Sequence, residues 1–373
     1  MKVGILGGGQ LGRMLLQAAA NYAVETYVLE ADAQCPAAHL CHHFVLGDIT
    51  NYDAVYAFGQ QVDALTIEIE AVNIDALEQL EKEGKRIIPA TSAIRTIKNK
   101  IHQKELYKAN GIPTADFAIT QSQADIATFA ALLPGVHKLA EGGYDGKGVQ
   151  IINSIEEQEK AFDAPSILEK KVPIKKELAI IVAMNEKGEK AIYPAAEMVF
   201  DPYLNLLDYQ LSPANIAKEV MWKAEAIAIK VVQALQSPGL FAVEMFVDEN
   251  DDVLVNETAP RVHNSGHHTI EANYCSQYDM LLRILLQLPL GNTEAILPAA
   301  IVNLIGAENN KGKAKYEGLA TVLKMEKVFV HLYGKTHTKP GRKMGHATIM
   351  GKDFLDLTHK ANIIKQTLKV VAE

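Results

Sequence analysis

The densest group of side chains capable of chemistry lies at residues 256–268, which read NETAPRVHNSGHH. The segment contains the carboxylate of Glu257, the guanidinium of Arg261 and three imidazoles, and it is too polar to belong to a core. Carboxylates are the ligands that hard cations such as Mg²⁺ prefer, and a guanidinium binds planar anions through paired hydrogen bonds. The segment therefore indicates a site for a cation and an anionic substrate. The alternative is a polar loop that satisfies its own hydrogen bonds.

Two runs rich in β-forming residues, 243–247 and 253–257, flank a turn rich in Asn and Asp just before this segment. Such a pattern predicts an antiparallel hairpin. With the turn centred on Asn250 and Asp251, Glu244 lies directly opposite Glu257, where like charges are destabilising unless a divalent cation binds them. We therefore predict a metal site at these two glutamates. The alternative is a slipped register that leaves both of them solvated.

Residues 142–148, which read GGYDGKG, contain four glycines. Glycines allow backbone N–H groups to fold over an anion without a side-chain clash, and Lys147 adds positive charge. The segment is consistent with a phosphate-binding loop, although a glycine-rich turn that merely joins two strands has the same composition.

A second glycine pattern, Gly7-x-Gly9-x-x-Gly12, follows a strand-like run at the start of the chain, and Glu30 ends the next such run. This arrangement matches the dinucleotide-binding fingerprint, in which glycines approach the pyrophosphate and an acid binds the ribose. An NAD-binding oxidoreductase is therefore an alternative. Against it, the second half of a six-stranded dinucleotide fold does not follow before a predicted boundary near residue 90.

A cluster of cations near the end of the chain stands out because the protein as a whole is acidic. Lys335, Lys339, Arg342 and Lys343 lie on or beside a turn rich in Gly and Pro, whereas the net charge of the chain is −8. These side chains could hold a phosphate group, and the alternative is a solvated basic loop.

The first 95 residues alternate between strand-like and helix-like runs, which predicts an α/β domain with a parallel sheet. One of its strands is predicted over residues 64–70. A lysine-rich helix over residues 94–109 follows the domain and ends at Asn110 and Gly111, which are typical of a helix C-terminus.

Short strands and helices mix in residues 96–290, which predicts an α+β domain around the glycine-rich segment and the acidic hairpin. A break at residues 289–292, which read PLGN, separates this domain from residues 291–373. This last part reads as a small β-rich domain that ends in a helix over residues 356–371.

Composition excludes several classes of protein. The net charge of −8 argues against a nucleic-acid partner, because such binding needs a basic face. No run of 18 apolar residues occurs, and a strand-like run begins at residue 2, so we expect neither a membrane span nor a secretory signal. Three cysteines do not form a disulfide framework, which favours a cytoplasmic location.

Four segments together resemble the 5-(carboxyamino)imidazole ribonucleotide synthetase family of the ATP-grasp superfamily. They are residues 7–14 (GGGQLGRM), residues 142–148, Glu244 with residues 256–267, and residues 339–346 (KPGRKMGH). The resemblance implies a Rossmann-like N-terminal domain, a central ATP-grasp domain and a small β-rich C-terminal domain. It implies a Mg²⁺-dependent, typically dimeric ligase of purine biosynthesis. Such an enzyme uses ATP and bicarbonate, through carboxyphosphate, to convert 5-aminoimidazole ribonucleotide into the carboxyamino ribonucleotide, ADP and phosphate.

The resemblance also implies roles for individual residues. Catalytic roles are implied for Arg261, His263 and Asn264, and metal binding for Glu244 and Glu257. ATP contacts are implied for Lys100, Lys138, Gly143, Tyr144, Asp145, Gly146, Lys147, Gly148, Glu169, Lys170, Lys171, Val172, Glu177, Asn256 and Glu257. Contacts to the ribonucleotide are implied for Gln10, Leu11, Glu70, Tyr144, Asp145, Lys335 and Arg342.

The chain departs from the family at three positions. Lys100 stands where the family generally has an arginine, Ala71 where it usually has a histidine, and Phe200 where a histidine near the nucleotide is common. Two further alternatives have to be weighed. One is a formate-dependent glycinamide ribonucleotide transformylase of the same superfamily, whose residues around the second glutamate differ from those here. The other is a non-catalytic nucleotide sensor.

Overall fold

The computed structural model describes residues 1–143, 148–200 and 207–373. Its N-terminal part alternates strands and helices as the sequence predicts. The elements are β1 (Lys2–Leu6), α1 (Gln10–Ala19), β2 (Glu25–Glu30), β3 (His43–Leu46), α2 (Tyr52–Gly59), β4 (Ala64–Ile67), α3 (Ile74–Lys82), β5 (Arg86–Ile88), α4 (Thr91–Lys98) and α5 (Lys100–Ala109).

The five strands of this part form a sheet in the order β3-β2-β1-β4-β5, and all four pairs are parallel. Residues 64–67 of β4 are fully buried, as is typical of parallel strands covered on both faces. The strand predicted over residues 64–70 ends at Ile67, so Glu68 and Glu70 lie just beyond the carboxyl edge of the sheet. Ligands of open α/β sheets bind at this edge.

The single helix predicted over residues 94–109 is wrong, because two helices occupy this region. Asn99 has an extended backbone between α4 and α5, and its side chain accepts hydrogen bonds from the amides of Ile101 (2.9 Å) and His102 (3.4 Å). Asn is a favoured N-cap residue because its side chain satisfies amides that lack a partner in the first helical turn. Helix α5 therefore begins at Lys100.

A small antiparallel sheet follows, in the order β6-β9-β7-β8. Its elements are β6 (Phe117–Thr120), α6 (Asp125–Thr128), a 3₁₀ turn (Ala130–Leu132), β7 (Gly135–Leu139), β8 (Val149–Ile152), a second 3₁₀ turn (Ile155–Lys160) and β9 (Ser166–Lys170). The glycine-rich segment 142–148 connects β7 to β8.

The next elements build most of a large sheet. They are β10 (Ile174–Met184), β11 (Lys190–Ile192), β12 (Ala196–Phe200), β13 (Leu207–Ser212), α7 (Lys218–Leu235), β14 (Gly239–Asp248), β15 (Val253–Ala259), a 3₁₀ turn (Asn264–Gly266), α8 (Thr269–Ala272) and α9 (Gln277–Leu285). One face of β10 and β14 packs against α7, with Ile180 and Val243 buried there. On the other face, Ile181 and Ala242 share a core with residues of α9.

The C-terminal elements are β16 (Ala299–Ile305), β17 (Gly312–Glu317), α10 (Leu319–Val322), β18 (Val328–Leu332), β19 (His337–Thr338), β20 (Lys343–Met350), α11 (Phe354–Thr367) and β21 (Lys369–Ala372). The large sheet runs β15-β14-β10-β12-β13-β16-β20-β18, with β11 beside β10, so it continues across residue 290. The domain boundaries at residues 95 and 290 stay predictions. The final helix ends at Thr367, where the prediction extended it to residue 371, and β21 joins a small sheet in the order β19-β17-β21.

The predicted fold class, α/β followed by α+β with a β-rich end, is confirmed by this architecture. Within the described ranges, no helix is both long enough and apolar enough to cross a membrane.

Candidate active site

The acidic hairpin brings two buried carboxylates together. Strands β14 and β15 pair antiparallel with Glu244 opposite Glu257, which confirms the predicted pair. The route to this pairing differs from the prediction, because the turn centres on Asn250, with Val247 opposite Val253 and Asp251 at φ 61°. A β-bulge beside Met245 then shifts the register by one residue. Bulges are over-represented next to active sites, where they re-aim side chains.

Burial and charge act differently on the two carboxyls. The pKa of Glu244 is raised from 4.5 to about 8, first because the group is buried and then because Glu257 and Glu177 are close. Burial also acts on Glu257, but the ammonium groups of Lys100 and Lys138 outweigh it and hold the pKa of Glu257 below its ordinary value. The pair therefore carries close to one proton at neutral pH. A cation bound between the two carboxylates would take the place of this proton.

Two lysines border the carboxylate pair. Lys100, the first residue of α5, donates a hydrogen bond from Nζ to Oε2 of Glu257. Lys138, on β7, donates from Nζ to Oδ1 of Asn256 over 2.8 Å. These contacts join the small sheet and α5 to the edge strand of the large sheet. They place positive charge beside the acidic pair, as a site for a polyphosphate requires.

Four of the predicted ATP contacts lie at and beyond the end of β9, namely Glu169, Lys170, Lys171 and Val172. Glu169 is buried, and its Oε2 lies 2.5 Å from Nζ of Lys138, so its carboxylate points into the protein. Lys170 and Lys171 are exposed, and their amides donate to the carbonyls of Asp116 (2.8 Å) and Pro134 (3.0 Å).

Further along this segment, the amide of Val172 meets no acceptor among the residues that the structure describes. Glu177, on β10, has a pKa raised by burial, which Lys138 partly opposes. Within the described part of the chain, the amide of Val172 is therefore a main-chain donor available to a ligand.

The glycine-rich segment is described only at its ends. Gly142 and Gly148 have φ of 80° and 77°, a conformation that favours glycine. A Cβ on Gly148 would also lie 3.0 Å from Cα of Gly143, so the two ends of the segment are in close contact. The four predicted contact residues between them lie outside the described part of the chain: Tyr144, Asp145, Gly146 and Lys147.

The loop after β15 carries the predicted catalytic residues. Nε2 of His263 lies 3.4 Å from Oε1 of Glu244, and its backbone is held by Gln277, which accepts from the His263 amide and donates to its carbonyl. Asn264 follows as the first residue of a 3₁₀ turn and is partly exposed. Since Gln277 begins α9, this helix fixes the imidazole beside the acidic pair.

Arg261 extends from the same loop toward the N-terminal sheet. Its Nε lies 3.0 Å from Oε1 of Glu70, and its Nη1 donates to the carbonyl of Val262 over 3.2 Å. The contact with Glu70 is an ion pair without hydrogen-bond geometry. A predicted catalytic residue and a predicted substrate residue therefore contact each other directly.

The glycine turn at the N-terminus of α1 binds carboxylates of the protein itself. Glu68 accepts a hydrogen bond from the amide of Leu11 (3.1 Å), and Glu30 accepts one from the amide of Gly8 (3.0 Å). A Cβ on Gly9 would lie 2.5 Å from Oε1 of Glu68. These amides are the ones that a dinucleotide pyrophosphate would need, so the structure argues against the oxidoreductase.

The two predicted substrate residues in this turn are placed differently. Gln10 is partly exposed at the start of α1, whereas the side chain of Leu11 lies in the core and only 7% of the residue is exposed. The exposed part of the turn therefore includes Gln10, whereas the amide of Leu11 is bonded to Glu68.

The segment that leads into the basic turn passes beside α1. Nζ of Lys335 donates to the carbonyl of Lys343 over 2.8 Å, and Nη1 of Arg342 donates to the carbonyl of His337 over 2.8 Å. A Cβ on Gly334 would lie 3.1 Å from Nη1 of Arg13, which belongs to α1. The two ends of the chain therefore meet, as their predicted sharing of one ligand requires.

A stack of rings connects the segment before this turn to the loop after β15. The hydroxyl of Tyr333 lies 3.0 Å from Nδ1 of His346, whose ring stacks on that of His267 with 4.6 Å between centroids. His267 in turn lies 3.0 Å from the hydroxyl of Tyr278 on α9. Burial lowers the pKa of both stacked histidines well below the ordinary value, so they are neutral parts of the core.

Two buried ionisable residues of the site were not predicted from the sequence. Glu68 lies under the glycine turn, and its pKa is raised to about 7, first by burial, with Arg261 opposing. Lys104 forms an ion pair with Glu169 and has 3% of its side chain exposed. A signal for Lys104 exists, because Lys100, Lys104 and Tyr107 follow helical i, i+4, i+7 spacing on one face of α5. No comparable pattern marks Glu68.

The carboxylate pair fits a divalent cation. Mg²⁺ is usually bound through one or two carboxylates together with substrate phosphates and waters. Glu244 and Glu257 supply those carboxylates, and burial, together with the nearby charge of Glu257, raises the pKa of Glu244, a penalty on its ionised form that a bound cation would offset. Across the described ranges, no cluster of three or more His, Cys, Asp or Glu side chains could hold a metal ion alone.

Comparison with family models accounts for most of the chain. Residues 1–98 match a ribonucleotide synthetase preATP-grasp domain, residues 105–278 an ATP-grasp domain, and residues 299–360 a phosphoribosylaminoimidazole carboxylase C-terminal domain.

One similar relative is longer than this chain, and another has nearly the same length. A chloroplastic phosphoribosylaminoimidazole carboxylase from Vigna aconitifolia is 35% identical over 97% of this chain, and the chain spans 66% of that protein, just under two thirds. An N5-carboxyaminoimidazole ribonucleotide synthase from Synechococcus elongatus is 35% identical over 93% of this chain and 89% of its own length.

Solved structures agree with these matches. An N5-carboxyaminoimidazole ribonucleotide synthetase from Thermotoga maritima superposes with a TM-score of 0.92 at 38% identity, covering 100% of this chain and 99% of that one. An N5-carboxyaminoimidazole synthase from Aspergillus clavatus, in complex with ADP and 5-aminoimidazole ribonucleotide, gives 0.88 at 34% identity and covers 98% of this chain and 97% of its own. The chain therefore belongs to the N5-carboxyaminoimidazole ribonucleotide synthetase family of ATP-grasp ligases.

Proposed function

We propose that the chain carboxylates 5-aminoimidazole ribonucleotide with ATP and bicarbonate, and that the acidic hairpin with its flanking lysines is the reaction centre. The observation that carries the proposal is the opposed pair Glu244 and Glu257, with Lys100 on Glu257 and Lys138 on the neighbouring Asn256. ATP and bicarbonate are both anions, so their reaction requires charge neutralisation and positioning above all.

ATP would bind between the small sheet and the large sheet. Lys100 and Lys138 would neutralise its phosphates, and Glu177 and the main chain at Val172 would hold the ribose and the adenine. Mg²⁺ held by Glu244 and Glu257 would neutralise the developing phosphate charge. Gly143 and Gly148, which are in close contact at the two ends of the glycine-rich segment, would bind the phosphates through their amides.

The first chemical step would form carboxyphosphate. An oxygen of bicarbonate attacks the γ-phosphorus of ATP, the bond to the β-phosphate oxygen breaks, and ADP leaves. Arg261 suits the planar bicarbonate because its fork of N–H donors pairs with two oxygens at once. His263 and Asn264 would orient bicarbonate, and the imidazole of His263, which lies 3.4 Å from Glu244, would accept the proton that bicarbonate loses.

The second step would transfer the carboxyl group to the ribonucleotide. The amine nitrogen forms a bond to the carboxyl carbon, phosphate leaves, and the amine loses one proton. Gln10 and Glu70 would hold the ribonucleotide at the edge of the N-terminal sheet, and Lys335 and Arg342 would bind its 5′-phosphate. The contact between Arg261 and Glu70 supports this arrangement, since it brings the carboxylating loop to the proposed substrate site.

The test is ATP hydrolysis measured with and without 5-aminoimidazole ribonucleotide and ¹³C-bicarbonate, followed by NMR of the labelled product. We expect ADP formation to depend on both compounds and the label to appear in a carbamate carbon. ADP formation that ignores the ribonucleotide, or a formyl product from formate, would contradict the proposal.

We also propose a cytoplasmic homodimer. The free cysteines Cys35, Cys41 and Cys275 support the reducing compartment, and the family resemblance supports the dimer. Sedimentation at micromolar concentration tests the dimer, and a monomer at that concentration would contradict it.

A further inference from the structure

The most deeply buried charges near the proposed nucleotide site form a row of three. Lys104 on α5, Glu169 on β9 and Lys138 on β7 have 3%, 5% and 11% of their side chains exposed. Lys104 contacts one carboxylate oxygen of Glu169, and Nζ of Lys138 lies 2.5 Å from the other. Each oxygen of one carboxylate therefore has its own lysine.

We infer that Lys104 is a positioning residue for ATP, because it balances Glu169 and thereby leaves the charge of Lys138 available to the phosphates. This inference rests on the proposed function, in which Lys138 binds ATP.

The charge count gives the physical reason. Lys138 and Glu169 alone would sum to zero, and the carboxylate would cancel the positive charge that a phosphate needs. With Lys104 the row has a net charge of +1, and the surplus lies at the end that faces Asn256 and Glu257. In a poorly solvated site such a unit of charge acts strongly, because little water screens it.

The position of Lys104 also fixes the geometry. Its Nζ donates to Oγ1 of Thr114 over 2.5 Å and lies 3.5 Å from the carbonyl of Val255, so the ammonium is held by three different segments. Burial lowers the pKa of Lys104, and Glu169 is the main group that opposes this. The ion pair with Glu169 offsets part of the cost of this burial. An experiment can separate the effect of the Lys104 charge from that of its packing contacts.

The experiment measures ADP and ribonucleotide affinity by calorimetry for the full-length protein and its variants. Wild type is measured first, because failure of wild type to bind ADP would contradict the proposed function rather than the role of Lys104. In Lys104→Met we expect ADP affinity to fall on the order of 10-fold or more, as when one partner of a buried charge pair is removed. Ribonucleotide affinity should change by less than about 2-fold, and Lys104→Arg should restore most ADP binding because arginine keeps the charge.

Lys108→Met is the matched control, since Lys108 lies exposed on the same helix and its loss changes the net charge equally. We expect wild-type ADP affinity for this variant. Equal losses in Lys104→Met and Lys108→Met would overturn the inference, because the effect would then come from overall charge.

A double variant distinguishes charge balance from simple packing and covers the case in which Lys104→Met does not fold. With Glu169→Gln the carboxylate is gone, so Lys104 has no charge left to balance. Adding Lys104→Met to Glu169→Gln should then change ADP affinity by less than about 2-fold, which is a strong non-additive coupling. A further loss of about 10-fold in the double variant would show that Lys104 acts through packing alone and would overturn the inference.

Discussion

Nε of Arg261, in the loop after β15, lies 3.0 Å from Oε1 of Glu70 at the carboxyl edge of the N-terminal sheet. The two residues are 191 positions apart, by the difference 261 − 70, and they belong to separate sheets. Their contact joins the loop proposed to bind bicarbonate to the proposed ribonucleotide site. An arginine that leaves Glu70 to bind bicarbonate would also free that carboxylate for the ribonucleotide.

Loss of either hairpin carboxylate should abolish turnover without unfolding the protein. Glu244→Gln and Glu257→Gln each remove one hard ligand from the proposed Mg²⁺ site, and the neutral amide is a much weaker ligand. Steady-state ADP formation over a range of Mg²⁺ concentrations measures the effect. Glu249→Gln, in the exposed turn of the same hairpin, is the control and should keep wild-type activity. Full activity of either site variant at ordinary Mg²⁺ would remove the metal assignment.

The stability of the metal-free protein should fall as pH rises through the range in which Glu244 titrates. Its pKa is raised from 4.5 to about 8, so between these values the folded state binds more protons than the unfolded state. The free energy of unfolding therefore decreases from about pH 5 to pH 8 for this group. Glu244→Gln should raise the melting temperature in EDTA at pH 8 and change it little at pH 5. A variant that is less stable than wild type at pH 8 would contradict the raised pKa.

Replacement of Arg261 should damage the chemical step more than ATP binding. For Arg261→Ala we expect kcat to fall on the order of 10²-fold or more, comparable to the loss of one preorganised donor. Arg261→Lys keeps the charge but lacks the planar fork, so it should recover only part of the rate. Rapid-quench measurement of ADP formation, beside ADP affinity by calorimetry, separates the two effects. A defect confined to ATP affinity would assign Arg261 to the nucleotide.

Replacement of Arg342 should weaken ribonucleotide binding selectively. Arg342→Ala removes a proposed charged hydrogen bond to the 5′-phosphate, which costs about 1.5–3 kcal/mol of binding free energy. ADP affinity should stay nearly unchanged, because the nucleotide site is built from other elements. Lys324→Ala, at an exposed position outside this cluster of cations, serves as the control. Unaltered ribonucleotide affinity in Arg342→Ala would leave the basic turn without a role in substrate binding.

Titration with NAD and NADP should detect no binding at the N-terminal glycine turn. Glu30 and Glu68 already accept hydrogen bonds from the amides of Gly8 and Leu11, and a pyrophosphate would have to displace both carboxylates. Fluorescence titration up to millimolar dinucleotide provides the measurement. Dinucleotide binding that is lost in Gly9→Val and is insensitive to Arg342→Ala would revive the oxidoreductase.

Local sequence determined much of this protein. The pairing of Glu244 with Glu257 follows from a short hairpin, because the turn and the alternation of strand residues set the register within fifteen residues. The α/β pattern of the first 95 residues follows from alternating apolar runs. Even in this hairpin the sequence did not reveal two features of the pairing. The turn is centred on Asn250, which shifts the register by one residue, and the β-bulge beside Met245 shifts it back, so that Glu244 still lies opposite Glu257.

Tertiary structure alone decided which charges meet across the molecule. Glu68 and Glu30 fill the amides of a turn whose glycines match the dinucleotide fingerprint, and Lys104 reaches Glu169 from 65 positions away, by the difference 169 − 104. Such contacts depend on how separate sheets and helices pack, and no periodicity along one segment encodes them. The energy of a buried charge depends on its partners, so the chemistry of these residues was set only once the chain had folded.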